Sequence, residues 1–590
     1  MKTNTQILLV ALAMVVTTQL SYGANVIWTN TAGGNWSATN NWNPNQVPGS
    51  GDIAVITNGA SYAVTLDANL PVGGLVLGTP SGVNTQIFML NGQTLTLNGT
   101  AAIGASGRFT MTNNDVLGGN VILKGALTCS GGTLSGTLTV TSNSVLTAAS
   151  PGMTLDSFSS GGGVMLTNYG IVNWSSGSIS SDYSPVIYNY GLWNAQTDDT
   201  FLGREANGNA IFNNYGTFRK SAGSGTSAID DNTIFNTSGT LDIESGTVSI
   251  FKGLGNGTIN VAGTSVALNS SFVFSGGTLF TGGGTVTGYL IGSNAVFSGT
   301  VNCSGDTLSG GLTVASNSVL NLGALNLSFN SIYASTDVGI LTNYGTVNWG
   351  AGNISCDNGP VVDNYGLWNA QANSSIFGRQ SSGNLVVNNY GTFRKSGGSG
   401  TSTVDGNTVF NTTGTVDVQT GTLGLLGNDL LAGGTLNFGI NSSNNFGQIT
   451  FSSGIVLGGT VSANLNNLYV PATNSSFAVV SYGSQTGTFA NYNLPAGLAW
   501  ATNYGNTAFS LLVTAILPAQ LSGVRTTQNG SAITFNFGAV PGQTYQIQYT
   551  TNLAPADWIN LGSTINATNS SITVSDTIRN PQLFYRAFSQ

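Results

Sequence analysis

The densest charged patch of the chain is Asp198-Asp199 with Arg204 and Glu205. Paired carboxylates are the groups that cleave a glycosidic bond in glycoside hydrolases, and acids beside a basic residue can hold Ca²⁺ in a polysaccharide lyase. The same four positions of an internal repeat, described below, hold Asn373, Ser374, Arg379 and Gln380. Only the arginine recurs, so we interpret it as a structural residue and the charged cluster as a solvated face or ion pairs. Lyase or hydrolase chemistry is kept as a minor alternative.

The sequence contains no histidine, which excludes a Ser-His-Asp triad and a histidine-ligated metal. Its three cysteines, Cys129, Cys303 and Cys356, lack CxxC spacing, and their odd number leaves at least one free thiol. Cys129 and Cys303 occupy matching repeat positions, and we expect both to be small buried apolar residues. We therefore expect a non-enzymatic protein without a metal site or a cofactor.

Two basic pairs recur, Arg219-Lys220 ahead of Asp230 and Arg394-Lys395 ahead of Asp405. We interpret them as repeated surface ion pairs, and contact with a glycan or an acidic ligand is the less favoured use. The candidate ligand-contact residues are Arg204, Arg219, Lys220, Arg379, Arg394 and Lys395.

A long internal repeat organises the chain. The segment from Leu166 to Trp174 returns at Leu341 to Trp349, 175 residues later, and the start of the unit at Cys129 returns at Cys303. Inside each copy a Tyr-Gly or related motif recurs at spacings of 21, 25 and 23 residues, for example at Gly170, Gly191, Gly216 and Gly239. Periods of this length indicate stacked units, and strand-like alternation in segments such as Thr240–Ser245 indicates that each unit is a β-coil.

The period predicts an all-β parallel β-helix, or solenoid, in which equivalent residues form columns about 4.8 Å apart. We expect an amide ladder beside an aromatic column at the repeated motif, with glycine supplying a positive φ at the corner. Charges are scarce because stacking would bring like charges together. The ladder residues are Asn168, Tyr169, Asn189, Tyr190, Asn214, Tyr215, Asn343, Tyr344, Asn364, Tyr365, Asn389 and Tyr390.

Two other motifs have a structural and a functional interpretation. Trp36, Trp42, Trp174 and Trp193 could stack on sugars if exposed, but core packing is favoured. The segment 427–434 looks like one half of a tandem calcium-binding turn, and a single copy favours an ordinary solenoid turn.

The ends of the β-helix carry a family resemblance. Trp28, Gly34-Asn-Trp36 and Gly51-Asp-Ile-Ala-Val55 resemble the opening of bacterial autotransporter-passenger-like, β-strand-repeat surface proteins, and residues 430–515 resemble the closing part of such passengers. The resemblance implies a right-handed parallel β-helix at a cell surface. We expect this chain to depart from the family pattern in lacking a translocator barrel.

After Pro518 the sequence changes character, and about seven short alternating strands predict a fibronectin-like β-sandwich. This part is similar to a C-terminal module of large secreted proteins of environmental bacteria, which implies surface attachment or carbohydrate contact. The expected divisions are 1–24 signal peptide, 25–128 N-terminal cap and first coils, 129–302 repeat unit 1, 303–429 repeat unit 2, 430–515 last coils, and 516–590 β-sandwich.

The N-terminal residues indicate where the protein is located, and its net charge argues against one class of partner. Lys2, the apolar run 7–16 and the small residues 21–24 are typical of a secretory signal, and no later run is long enough for a membrane helix. A net charge of −8 without a basic stripe argues against nucleic acid. We therefore expect a secreted or cell-surface scaffold or adhesin of a Gram-negative-type bacterium, with extracellular glycans or matrix as possible partners and carbohydrate binding as the alternative function.

Overall fold

A computed structural model describes residues 23–156, 165–203, 208–304, 307–323, 326–331, 338–378, 383–427, 433–527 and 530–590. The protein is 59% strand and 1% helix, and most of it winds as a parallel β-solenoid of about 17 turns, so the predicted all-β solenoid is confirmed. Within these ranges, no helix is long and apolar enough to cross a membrane.

Up to residue 220, the described residues contain 26 strands and one short 3₁₀ helix, Thr39–Asn41. The strands are β1 (Asn25–Trp28), β2 (Gly34–Asn35), β3 (Trp42–Asn43), β4 (Ile53–Ile56), β5 (Tyr62–Thr65), β6 (Leu70–Val72), β7 (Gly74–Leu77), β8 (Gln86–Met89), β9 (Thr94–Leu97), β10 (Thr100–Ile103), β11 (Gly107–Thr112), β12 (Val116–Gly118), β13 (Asn120–Lys124), β14 (Ala126–Ser130), β15 (Thr133–Leu134), β16 (Thr137–Val140), β17 (Val145–Ala148), β18 (Gly152–Leu155), β19 (Met165–Asn168), β20 (Ile171–Trp174), β21 (Ser178–Ser181), β22 (Val186–Asn189), β23 (Leu192–Ala195), β24 (Thr200–Gly203), β25 (Ala210–Asn214) and β26 (Thr217–Lys220).

The next strands continue the solenoid through the second copy of the repeat. They are β27 (Thr226–Thr237), β28 (Thr240–Ile243), β29 (Thr247–Gly255), β30 (Thr258–Val261), β31 (Ser265–Phe274), β32 (Leu279–Thr281), β33 (Thr285–Phe297), β34 (Thr300–Cys303), β35 (Thr307–Val314), β36 (Val319–Leu322), β37 (Leu327–Asn330), β38 (Ile340–Asn343), β39 (Thr346–Trp349), β40 (Ile354–Asp357), β41 (Val361–Asn364), β42 (Leu367–Ala370), β43 (Ser375–Gly378), β44 (Leu385–Asn389), β45 (Thr392–Lys395), β46 (Thr401–Val404), β47 (Thr408–Thr412), β48 (Thr415–Val418) and β49 (Thr422–Leu425).

The last strands close the solenoid and form the C-terminal module. They are β50 (Thr435–Ile440), β51 (Gln448–Phe451), β52 (Gly454–Leu457), β53 (Thr460–Leu465), β54 (Ser476–Ser481), β55 (Ser484–Gly487), β56 (Asn491–Asn493), β57 (Leu498–Tyr504), β58 (Ala508–Ile516), β59 (Leu521–Thr526), β60 (Ala532–Gly538), β61 (Thr544–Thr550), β62 (Ile559–Asn560), β63 (Ile565–Asn566), β64 (Ser571–Thr577) and β65 (Phe584–Ser589).

The chain forms two compact units. One contains the residues up to Asn194 together with Thr200–Ile211, and the other contains Ala195–Asp199 together with Phe212–Gln590. In the first unit the strands from β4 onward pair in parallel with the third strand after them, as in β14–β17–β20 and β15–β18–β21. Three strands therefore make one coil. The domain limits expected from the sequence stay predictions.

Buried and outward-facing residues alternate along each strand, and this alternation decides which side chains fill the interior of the coil. In β20 the side chains of Val172 and Trp174 are buried, whereas Asn173 between them faces outward. Because successive side chains of a strand point to opposite faces, a four-residue strand supplies two core residues per side of the coil. The long strands β27, β29, β31 and β33 each cover two sides of a coil and pair with the second strand after them, with a register shift where the strand bends.

The two ends of the solenoid differ from its middle in side-chain packing and strand pairing. At the start, Trp42 packs edge-on against Trp28 and Trp36, with ring centroids 5.0 and 4.8 Å away. At the end, β54 pairs in parallel with β51 but antiparallel with β58, which also pairs antiparallel with β57. Antiparallel pairing occupies the hydrogen-bonding edge that a further coil would otherwise use.

The C-terminal module consists of two small antiparallel sheets. One contains β59, β60 and β64, and the other contains β61 with β62, β63 and β65. Their facing sides share one core, in which Phe535 and Phe537 of β60 pack with Tyr545 and Ile547 of β61. The predicted small C-terminal β-structure is therefore present.

The repeated glycines serve a different purpose from the one we expected. Gly345, Gly366 and Gly391 do not have a positive φ. A Cβ on Gly366 would instead lie 2.1 Å from the carbonyl oxygen of Gly345, and one on Gly391 would lie 2.2 Å from that of Gly366. Glycine is needed here because the backbones of successive coils approach each other closely, and the expectation of a left-handed corner at these positions was wrong.

We predict that Gly366→Ala lowers the free energy of unfolding by roughly 1–3 kcal/mol, because the new methyl group must displace the backbone of the neighbouring coil. Gly350→Ala is the matched control, since its Cβ would meet no atom closer than 3.4 Å. Chemical denaturation of both variants, with hydrogen exchange over residues 361–370, checks this. Equal stability of the two variants would contradict the steric explanation.

Candidate functional site

The buried part of the repeated motif is an asparagine ladder. Asn343, Asn364 and Asn389 are each 0% exposed and end the strands β38, β41 and β44. The Asn343 amide donates to Asn364 Oδ1 over 2.7 Å, and the Asn364 amide donates to Asn389 Oδ1 over the same distance. Each Nδ2 also donates to the carbonyl of the residue that begins the strand after the corner of the neighbouring coil. The acceptors are Leu367 for Asn343, Thr392 for Asn364 and Thr415 for Asn389. The ladder therefore fixes every corner to the corner above it.

These bonds also confirm the coil length read from the sequence. Asn343 and Asn364 are 21 residues apart, Asn364 and Asn389 are 25 apart, and Asn389 donates to the Thr412 hydroxyl 23 residues on. In the first copy, Asn168 bonds Asn189 in the same way, and Asn214 donates to Thr237.

The exposed part of the motif is a stack of tyrosines, here called the tyrosine column: Tyr344, Tyr365 and Tyr390. Their ring centroids are 5.2 and 4.8 Å apart with interplanar angles of 15° and 16°. Each side chain is between 48% and 52% exposed. Within the part of the chain that the structure describes, their hydroxyl groups make no hydrogen bond, so three phenols in line are available to solvent.

The middle phenol of the column is a neutral group. Desolvation in the stack, followed by unfavourable electrostatic interaction with Asp363, Tyr390 and Tyr344, raises the pKa of the Tyr365 hydroxyl above its usual range. The Tyr365 hydroxyl therefore remains protonated at neutral pH and can both donate and accept hydrogen bonds.

Polar columns flank the tyrosines on both sides. After the corner, an outer amide column of Asn302, Asn321, Asn348 and Asn369 runs through β34, β36, β39 and β42, with amide-to-amide distances of 2.7, 2.9 and 3.1 Å. Before the corner, Asn388 donates to Asp363 and Asn411 donates to Asn388, each over 2.9 Å. The surface is thus an aromatic row between two hydrogen-bonded polar rows, all repeating at the strand spacing.

The first copy repeats this pattern. Tyr169 and Tyr190 stack with centroids 5.2 Å apart and an interplanar angle of 10°, and both are about half exposed. Beside them the Asn194 amide donates to Asn173 over 3.3 Å. The sequence repeat therefore duplicates an exposed surface as well as a core.

The recurrent arginines pair with other acids than those expected. Arg394 Nε lies 2.6 Å from Asp417 Oδ2, and Arg219 lies 2.9 Å from Asp242 and 3.3 Å from Glu244. Coil stacking places Asp417 directly beside Arg394 on the next strand, whereas Asp405 accepts hydrogen bonds within its own turn. Pairing along the stack prevails over proximity in sequence. Both arginines stay more than a third exposed, so ligand contact by them remains a prediction.

The recurrent lysines are buried, not at the surface, because the turn after each strand folds over them. Lys220 Nζ is surrounded by the Thr197 and Ala222 carbonyls, Asp198 Oδ1 at 2.8 Å and the Ser227 hydroxyl. Lys395 has the matching partners Ala372, Asn373, Gly397 and Ser402. Both lysine side chains are 0% exposed and therefore do not reach a ligand.

One difference between the two lysine sites changes their electrostatics. Asp198 in the first copy is replaced by Asn373 in the second, so Lys395 has only neutral partners. Burial lowers the pKa of Lys395 from 10.5 to about 8. In the first copy, the hydrogen bond from Lys220 holds the pKa of Asp198 below its usual value.

Asp198 belongs to the patch considered for carbohydrate chemistry. Its carboxylate accepts hydrogen bonds from Lys220 and from the Gly225 amide, and Asp199 accepts one from the Thr197 hydroxyl. Arg204, Glu205 and Arg379 lie outside the described residues, as does most of the segment 427–434. Within the described ranges, no group of three or more His, Cys, Asp or Glu side chains could hold a metal ion.

The tryptophans and cysteines considered earlier are core residues. Trp36, Trp42, Trp174 and Trp193 are each at most 1% exposed, so none offers a face to a sugar. All three cysteines are buried, and none of them forms a disulfide. Burial, with a smaller effect from Asp115, raises the pKa of the Cys129 thiol to about 12.

A scan against protein-family models and a search of curated proteins each found no match to this chain. The site is therefore interpreted from its own geometry.

We predict that Asn373→Asp slows hydrogen exchange in residues 395–404, because it gives Lys395 the carboxylate partner that Lys220 has. The reciprocal change, Asp198→Asn, should speed exchange in residues 220–229. Each substitution should change the free energy of local opening by about 1 kcal/mol. The change is modest because the Asp198 side chain, which the new carboxylate mimics, is 40% exposed.

The stability gained from Asn373→Asp should also depend on pH. With a folded pKa of about 8 and an unfolded pKa of 10.5, Lys395 destabilises the wild-type turn fully below pH 8, and the penalty falls as pH rises toward 10.5. The stability difference between wild type and Asn373→Asp should therefore shrink between pH 8 and 10. A constant difference would mean that Lys395 keeps its charge throughout this range.

Proposed function

We propose that this protein is a secreted or cell-surface β-solenoid scaffold or adhesin without catalytic activity. Its resemblance to autotransporter-like passengers and its expected signal peptide support this location. The fibronectin-like interpretation of the C-terminal module is part of the same proposal, with attachment to a surface as its role.

The observation that carries the proposal is the exposed tyrosine column between two polar columns. The fold does not need it, because Asn364 and Gly366 already fix the corner from inside the coil. A half-exposed aromatic side chain with an unpaired hydroxyl is a typical contact residue at protein interfaces. The first copy has a second exposed tyrosine stack, formed by Tyr169 and Tyr190, and more than one stack raises avidity for a repetitive partner.

The periodicity of the column favours an extended partner. The phenols and amides repeat about every 4.8 Å along one line, which is the strand spacing. A polymer in an extended conformation, such as a β-linked glycan of the matrix, can place one repeating unit against each coil. The weakly negative chain, with net charge −8, is less suited to nucleic acid.

Carbohydrate binding is the second candidate, favoured by the same aromatic and amide rows. The tyrosine ring faces are covered by their neighbours in the stack, so a sugar would meet ring edges and hydroxyl groups. Recognition would then depend on hydrogen bonds more than on stacking. This distinguishes the column from a flat tryptophan platform.

The proposal that the protein is not catalytic is supported by its aspartate carboxylates, which are engaged in ion pairs. Asp198, the strongest candidate for a catalytic carboxylate, is already an ion-pair partner of Lys220 with a lowered pKa, whereas a general acid needs a raised one. Asp242 and Asp417 are likewise engaged by arginines.

We predict that the mature chain binds one or more polymers on an array of glycans and matrix proteins and releases no product in reducing-sugar and unsaturated-product assays. The variant Tyr344→Phe/Tyr365→Phe/Tyr390→Phe keeps the ring stack and removes only the hydroxyl groups. Its affinity should fall about tenfold or more, since each lost hydrogen bond contributes on the order of 0.5–1.5 kcal/mol.

Tyr183→Phe is the matched control, because Tyr183 is 40% exposed and is not part of the tyrosine column. Absence of binding to every polymer would count against the adhesin proposal. Formation of product would refute the non-catalytic proposal, and unchanged binding by the triple variant would exclude the tyrosine column as the contact surface.

A further inference from the structure

A cleft of about 700 Å³ lies where the last solenoid coils meet the C-terminal module. Its solenoid wall comes from the turns that follow β45, β48, β50 and β53, and its other wall comes from Pro541 and Thr568 of the module. The volume falls within the range of about 300–1,000 Å³ that is typical of small-molecule sites. The cleft shares no lining residue with the tyrosine column.

The lining chemistry is unusual for a cleft of this size. None of the described residues that line it is ionisable, and the polar ones are amides and alcohols, including Gln419, Asn441 and Asn445. Amides and alcohols both donate and accept hydrogen bonds, and so do sugar hydroxyls. A charged ligand would find no counter-charge here.

Part of the lining is held rigidly before any ligand arrives. The Asn466 amide donates to Gln419 Oε1 over 3.0 Å and to Asn441 Oδ1 over 3.1 Å, while Asn441 donates to the Gln419 carbonyl over 2.8 Å. The hydroxyl of Thr420 donates to Asn445 Oδ1 over 3.0 Å. Such mutual bonds fix the side-chain rotamers, which lowers the entropy cost of binding.

Other lining groups remain available. The side chains of Ser396, Asn467 and Thr568 make no hydrogen bond to any described residue, and all three are exposed. Beside them, Leu465, Leu468 and Pro541 supply apolar surface, and Leu468 is 52% exposed. Available polar groups next to aliphatic patches match a sugar ring, which has hydroxyls at its rim and C–H groups on its faces.

The backbone also joins the two walls of the cleft. A Cβ on Gly542 would lie 1.8 Å from the carbonyl oxygen of Leu468, so the module and the solenoid loop touch at this point. Asn467 and Leu468 both adopt a left-handed conformation, with φ of 54° and 55°. This conformation is uncommon for a leucine and occurs where the surrounding structure enforces it.

We propose that this cleft is a binding site for an uncharged oligosaccharide. The amides of Asn441, Asn445 and Asn467 and the Thr568 hydroxyl are its hydrogen-bond partners, and Leu468 with Pro541 receives a C–H face of the sugar. The C-terminal module then completes a site with the solenoid instead of acting as a separate binding domain.

The test uses the full-length mature chain and titration calorimetry with defined tetrasaccharides. The uncharged probes are cellotetraose, xylotetraose, mannotetraose and N-acetylchitotetraose, and the acidic comparator is tetragalacturonate. We expect at least one uncharged probe to bind, with an affinity that does not depend on salt, and the acidic probe to bind more weakly.

Thr568→Trp fills the cleft from its exposed wall and should weaken binding by about tenfold or more. Thr564→Trp is the matched control, because Thr564 is exposed in the same module but does not line the cleft. It should leave affinity unchanged and shows that a new surface tryptophan is tolerated. The triple Tyr→Phe variant should also bind the tetrasaccharide normally, which separates this site from the tyrosine column.

Three results would overturn the proposal. Unchanged affinity in Thr568→Trp would exclude the cleft as the site. Tighter binding of tetragalacturonate than of every uncharged probe would exclude the ligand class. Failure of all four uncharged probes to bind at millimolar concentration would exclude both.

Discussion

Stacking of coil on coil is the constraint on which the rest of this structure depends. Each residue of the solenoid lies about 4.8 Å from the equivalent residue of the next coil, so a side chain must be compatible with a copy of itself. Asparagine meets this condition because its amide both donates and accepts, and the bonds from Asn343 to Asn364 to Asn389 show it doing so inside the coil. A charged residue does not meet it, which explains a chain with only 6% charged residues. The recurrent arginines each stand in a column beside an acid, Arg219 beside Asp242 and Arg394 beside Asp417.

The same constraint separates what the fold needs from what the surface offers. At each repeated corner the asparagine and the glycine are dictated from inside, the first by its hydrogen bonds and the second by the close backbone of the next coil. In the second copy the tyrosine between them points outward, and its hydroxyl group makes no hydrogen bond to a described residue. Many residue types would satisfy the backbone there. Tyr344, Tyr365 and Tyr390 therefore gain little for the core from being aromatic. Their choice is better explained by contact with a partner.

The sequence was sufficient for the period, the β-class and the inner ladder, because repeats of 21, 25 and 23 residues bring identical residues into register. The sequence did not predict contacts between residues of different type that lie on neighbouring coils. Lys220 and Asp198 are 22 residues apart, and only the coil geometry shows that they meet. The outer amide column was visible in principle, since Asn348 and Asn369 follow their tyrosines by four residues in both coils. The cleft was not, because Ser396 and Thr568 are brought together only by the way the C-terminal module docks.

The two lysine sites show how a buried charge can belong to a fold without belonging to a reaction. Lys220 and Lys395 place the same ammonium group among two backbone carbonyls and a serine hydroxyl, and only the fourth partner differs, a carboxylate in one copy and an amide in the other. Since the turn forms in both copies, the carbonyls and the hydroxyl are enough to hold the lysine. The carboxylate of Asp198 therefore compensates a charge that the turn already tolerates. The lysine keeps the Asp198 carboxylate ionised, and an ionised carboxylate is a poor proton donor. The repeated outer surface is therefore better suited to binding a partner than this site is to catalysis.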